Sequence, residues 1–136
     1  MEYDATRDYP LGTKRPDLVT TPGGVPLDGI TLEAARRGEL VAADVRATAG
    51  TLRRQAQVAH ATGRRQLAES LERAAELAGV PDDELLEIYT ALRPRRSSAA
   101  ELEAWAVKLE GWGAALTAAF VREAAVAYAQ RSLLAP

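Results

Sequence analysis

The stretch PDDELLEIYTALRPRRSSAAELEAWAVKLEGWG, residues 81–113, decides the fold. Pro81 suits a first helical turn, where its missing N–H has no intrahelical partner anyway. Asp82, Asp83 and Glu84 complement the positive end of the helix dipole. Leu85, Ile88, Tyr89 and Leu92 then recur at i, i+3, i+4 and i+7, one face of a helix. Pro94 disfavours helical geometry at Arg93, so the helix stops there. Ser98 and Glu101 have the spacing of a capping box, in which each side chain satisfies an orphan backbone donor of the next helix. Leu102, Trp105, Ala106 and Leu109 make the stripe of that helix, and Gly111 and Gly113 around Trp112 break it.

The same logic extends in both directions. A last helix carries Leu116, Phe120, Ala124, Ala127 and Tyr128 and ends before Pro136. Upstream, Leu67, Leu71, Ala74, Ala75 and Ala78 fall at i, i+4, i+7, i+8 and i+11, a helical stripe closed by Gly79. Before it, Thr48 or Thr51 opens a helix with Leu52, Ala56 and Ala59 on one face, and Gly63 ends or kinks it. Thr31 can cap a short helix stopping at Gly38, with a short turn at Ala42–Val45. No alternating run and no hairpin dipeptide between β-branched runs occurs, so no strand is predicted. The expected fold is all-α, a single domain over 1–136 whose helical part, about five helices, spans 31–134 after an irregular arm at 1–30.

Residues 1–30 stand apart. Pro10, Gly12, Pro16, Pro22, Gly23, Gly24, Pro26 and Gly29 punctuate them, and no helical or strand period survives. Tyr3, Tyr9, Leu11, Leu18, Val19, Leu27 and Ile30 are spread through the segment. An extended arm laid over something apolar fits this pattern, a disordered tail being the alternative.

Composition adds a constraint. Of the 136 residues, 28 are alanine, 17 leucine, 9 valine and 2 isoleucine, with one phenylalanine, two tryptophans and four tyrosines. Each buried methylene-sized group is worth only ~0.8 kcal/mol, so alanine burial contributes little. Either helices approach closely through small faces, or burial is completed against another subunit. Apolar runs such as Ala114–Val121 fall far short of the ~20 residues that span a bilayer. Neither a secretory signal nor a membrane anchor is read. The absence of cysteine excludes disulfides and thiolate metal sites and suits a reducing cytosol.

The search for chemistry is negative. One histidine, His60, cannot build a histidine-based triad or a two-histidine metal site, and is read as a surface or packing residue. The carboxylates lie in first turns (Asp82, Asp83, Glu84) or on helix faces (Glu69 with Arg73, Glu72 with Glu76). Gly23-Gly24 lacks the strand and helix start that a phosphate-cradling loop requires, so it reads as a turn. Arginine outnumbers lysine 15 to 2, densest at Arg53-Arg54, Arg64-Arg65 and Arg93, Arg95, Arg96. A net charge of −2, interleaved acids and scarce aromatics disfavour nucleic acid as the partner. A solvated face or a protein interface remains, since arginine is favoured for bidentate pairing with carboxylates. The corner at 93–96 is the interface candidate. The residues thus describe a non-catalytic helical module.

Several blocks, in order and spacing, resemble the small subunit of the adenosylcobalamin-dependent diol and glycerol dehydratases. They begin with Asp8-Tyr9-Pro10-Leu11, Pro26-Leu27, Ile30-Thr31-Leu32-Glu33, Asp44, Arg46, Thr51-Leu52 and Gln55-Ala56. Arg73-Ala74-Ala75-Glu76-Leu77, Pro81-Asp82, Leu86-Glu87-Ile88-Tyr89 and Ala91-Leu92-Arg93-Pro94 follow. Arg96-Ser97, Glu101-Leu102, Ala118–Glu123 and Tyr128 complete the pattern. Ser70, Thr90 and Arg95 depart from it. The resemblance implies a propanediol or glycerol dehydratase, a lyase of large, medium and small subunits, two of each, that converts 1,2-diols or glycerol to aldehydes by radical hydroxyl migration and loss of water. It implies that adenosylcobalamin is bound by the other subunits and that this chain supplies no catalytic, cofactor or metal ligand. The expected partner-contacting residues are Tyr9, Pro10, Leu11, Tyr89, Arg93, Arg96 and Arg122, with no nucleic acid or membrane involved. Some members carry a long N-terminal extension linked to enclosure in a bacterial microcompartment. Only seven residues precede Asp8, which favours the glycerol-dehydratase type; the expected setting is the cytoplasm, with microcompartment enclosure left open. The competing readings are a free-standing helical protein-binding adaptor and, more remotely, an arginine-rich nucleic-acid module.

Overall fold

Ser98 and Glu101 form the expected capping box: the serine hydroxyl accepts from Glu101 N, and the glutamate carboxylate accepts from Ser98 N at 2.8 Å. This detail belongs to a computed structural model that describes residues 2–136. Among the described residues there are seven α-helices. They are α1 Leu11–Lys14, α2 Leu32–Arg36, α3 Ala49–Ala61, α4 Arg65–Leu77, α5 Asp82–Ala91, α6 Ala99–Gly111 and α7 Ala115–Gln130. Five have ten residues or more, as the periodicity predicts. The chain divides into two compact units, one ending at Ala75 and the other Glu76–Pro136.

The first unit opens on the irregular segment, which is broken by α1 and by single 3₁₀ turns at Pro16–Leu18 and Leu27–Gly29. The Tyr9–Pro10 peptide bond is cis. Thr31 caps α2 by accepting from Ala34 N, and Thr48 caps α3 by accepting from Thr51 N. At the end of α3, Gly63 takes φ +75°, which a Cβ would disfavour. This lets Gly63 N and Arg64 N close on the carbonyls of His60 and Ala59, a Schellman stop. Among the described residues, the buried apolar ones of this unit are Ala34, Ala56, Ala59, Ala68 and Ala75, every one an alanine.

The second unit has the larger core. Val80, Ile88, Leu102, Leu109 and Val121 are buried with Ala106, Ala114 and Ala118. Ala106 and Ala118 have no exposed surface and sit where α6 and α7 lie along each other. The C-terminal residues tie back to the α5–α6 corner, Arg95 N donating to Leu133 O and Ala135 N to Ser97 O.

Three stripes differ from expectation. In α4 the buried line runs through Ala68 and Ala75, while Leu67 and Ala78 are exposed. In α7 it runs through Thr117, Ala118 and Val121, leaving Leu116 and Phe120 exposed. In α5 Ile88 is buried and Tyr89 is 57% exposed. In α7, which lies along α6, the small residues Thr117 and Ala118 turn inward while the larger Leu116 and Phe120 stand at the flank. Pro81 is the N-cap of α5, with ψ 140°, rather than its first helical residue.

Candidate partner-docking surfaces

The N-terminal segment is organised around the buried carboxylate of Asp8. Arg7 grips it through Nε to Oδ1 at 2.7 Å and Nη2 to Oδ2 at 2.8 Å, and Asp4 N donates to Oδ2 at 2.9 Å. Arg15 approaches it at 3.5 Å while pairing with Asp17. These donors, Arg7 foremost, hold the Asp8 carboxyl well below the usual carboxylate range. Asp4 Oδ1 closes the preceding turn by accepting from Thr6 N and Arg7 N. The segment is fastened to α3 where Arg54 Nη1 donates to Leu18 O at 2.9 Å.

A second buried carboxylate, Asp44, fastens the middle of this unit. It accepts from the Thr21 hydroxyl at 2.7 Å and from Val41 N at 2.8 Å. These bonds lower its pKa, Val41 N first. Gly23 lies so close that a Cβ there would stand 2.7 Å from Asp44 Oδ1. The Gly23-Gly24 turn is therefore shaped around a carboxylate of the protein itself.

Between the N-terminal segment and the α3–α4 pair lies an apolar groove of about 470 Å³. Tyr9, Leu11, Val19 and Leu27 line it from the segment, and Val58 and Leu71 from the helices. Of the residues expected to meet a partner, Tyr9 and Leu11 are thus brought to one opening, with the exposed Pro10 between them. Arg54 and Arg64 also line it, one from each of two arginine pairs read separately in the sequence.

The remaining expected contacts lie in the second unit. Tyr89 and Leu86, one helical turn apart on α5, are 57% and 67% exposed. Arg93 and Arg96 are exposed at the α5–α6 corner. That corner is fixed by Ser97 Oγ donating to Ala91 O and by the Tyr128 hydroxyl donating to Leu92 O. Arg122 is engaged within the unit: it pairs with Glu103 and Glu110 on α6. Both carboxylates are lowered and the guanidinium raised by these bonds.

Sequence reasoning missed the capture of Asp8 by Arg7 and the Asp44–Thr21 latch, because both join residues without a periodic signal. Sequence spacing places Arg53-Arg54 and Arg64-Arg65 on separate segments; only the turn at Gly63 shows that one member of each pair, Arg54 and Arg64, lines a common groove. His60 Nε2 stands 3.3 Å from Glu72 Oε1, both partly exposed. Among the described residues no three His, Cys, Asp or Glu side chains are grouped to hold a metal, and no helix is long and apolar enough to cross a membrane. The surfaces that the structure does present are suited to protein contact: apolar openings with arginine at the rim.

Residues 5–135 match the family model described as the dehydratase small subunit. The propanediol dehydratase small subunit of Citrobacter freundii is 51% identical over 128 residues, covering 93% of this chain and 74% of the relative. The propanediol dehydratase small subunit of Salmonella typhimurium strain LT2 matches at the same identity and coverage.

Proposed function

This chain belongs to the dehydratase small-subunit family, and from that premise we propose that it is the non-catalytic structural subunit of an adenosylcobalamin-dependent dehydratase acting on 1,2-propanediol or glycerol. The observation that carries the structural role is the core of the first unit, where every buried apolar residue among those described is an alanine while leucine, valine and tyrosine side chains stand at the surface. Such a unit gains little from its own burial and much from a partner that covers Leu32, Val41 and Val45, each more than 60% exposed.

In this reading the large and medium subunits, two of each in a heterohexamer with two copies of this chain, hold the cofactor and the diol. The donors of this chain do not fit a cobalt ligand set: its one histidine, His60, faces Glu72. The work assigned to this chain is mechanical. Its buried carboxylates Asp8 and Asp44 set the shape of the N-terminal segment, and its exposed apolar residues dock on a neighbour. The expected setting is the cytoplasm, free or within a microcompartment.

The test is reconstitution. Omitting this chain from a three-subunit co-expression should leave the remaining subunits less soluble and less active towards 1,2-propanediol or glycerol. Undiminished solubility and activity without it would overturn the structural role. A free-standing adaptor would instead be recovered without any dehydratase subunit.

A further inference from the structure

We propose that the groove of the first unit receives an apolar segment flanked by carboxylates from a neighbouring dehydratase subunit, with Arg64 at the rim pairing with those carboxylates. The proposal deepens the subunit reading and rests on it.

Three observations converge. The groove, at about 470 Å³, has room for a few side chains and is walled by tyrosine, leucine and valine. Its mouth is unfilled: Tyr9 is 57% exposed and Leu67 46% exposed. Among the described residues its charged lining is all arginine, Arg54 and Arg64, in a chain whose net charge is −2. A positive rim around an apolar floor selects a segment with the opposite arrangement of charge. Arg54 is already oriented, its Nη1 bonded to Leu18 O. Arg64 is exposed at the first turn after Gly63, where its backbone N–H is consumed by the Schellman stop and its side chain projects to the groove. Guanidinium groups pair bidentately with carboxylates, which gives the contact orientation as well as attraction.

The experiment compares Arg64→Glu with Arg65→Glu in the co-expressed complex. Both change the net charge equally, but Arg65 does not line the groove. The dissociation constant of the small chain, read by native mass spectrometry on dilution, should rise about tenfold for Arg64→Glu at low salt and stay within about twofold for Arg65→Glu. The free chain should also bind the apolar anion 8-anilinonaphthalene-1-sulfonate, and Arg64→Glu should weaken that binding with the helical circular dichroism unchanged. Equal losses for both variants, or no loss for Arg64→Glu in an intact complex, would overturn the groove assignment and leave the subunit reading standing. A wild-type chain that joins no dehydratase subunit would overturn both.

Discussion

Thr117 donates twice to the same carboxylate oxygen of Glu76, through its backbone N–H and its hydroxyl, each at 2.8 Å, and Leu116 N donates to the other oxygen at 2.9 Å. The N-cap of α7 is Ala114, which has no side chain able to accept. A residue some 40 positions earlier in the chain therefore supplies both the cap and the negative charge that the helix dipole favours. Glu76→Ala should lower stability by about 1–2 kcal/mol, with Glu76→Gln closer to wild type. The check is the urea midpoint of each variant; an unchanged midpoint for Glu76→Ala would refute the cap.

Acid should loosen the first unit. The pKa of Asp8 is lowered in the folded chain, chiefly by Arg7, and that of Asp44 is lowered chiefly by Val41 N. Groups with depressed folded pKa values contribute stability above their unfolded value, near pH 4, and lose it as pH falls towards the folded value. Stability should therefore decline progressively below about pH 4. Asp8→Asn should be less stable at pH 7 and show a shallower decline. Urea midpoints measured from pH 7 to pH 2 decide this, and parallel profiles for wild type and variant would contradict it.

Gly23 should tolerate no side chain. A Cβ would stand 2.7 Å from Asp44 Oδ1, so Gly23→Ala must displace the carboxylate that holds Thr21 and Val41. A loss of about 1–3 kcal/mol is expected. At Gly63, where nothing lies within 4 Å, alanine should cost only about 1 kcal/mol through its positive φ. Thermal midpoints of the two variants should rank accordingly, and the reverse order would refute the steric argument.

The isolated chain should melt at a low midpoint or self-associate, because Leu32, Val45 and Leu86 are each at least 67% exposed. Calorimetry of the purified monomer checks this; a cooperative melt at high temperature would contradict it.

Helix boundaries were legible because they depend on local chemistry. The stops at Gly63 and Pro94 and the caps at Thr31, Thr48 and Ser98 involve residues at most five positions apart. The buried faces of α4 and α7 were less legible: periodicity gives the spacing of a stripe, but Ala68 rather than Leu67 turns inward because of a neighbour that spacing does not reveal. Tyr9 and Leu11 were expected contacts from the exposure pattern of the N-terminal arm, and both line the groove. Arg64 was seen only as one of a pair. The latches at Asp8, Asp44 and Glu76 were invisible, since isolated acidic residues carry no period and their partners are fixed by tertiary structure.

The most direct test of the central claim is a native mass spectrum of the assembly purified by a tag on this chain from its source cell. The account predicts a single complex containing a large and a medium dehydratase subunit, two copies of each with two of this chain. Recovery of this chain as a lone monomer, with no dehydratase subunit present, would contradict it.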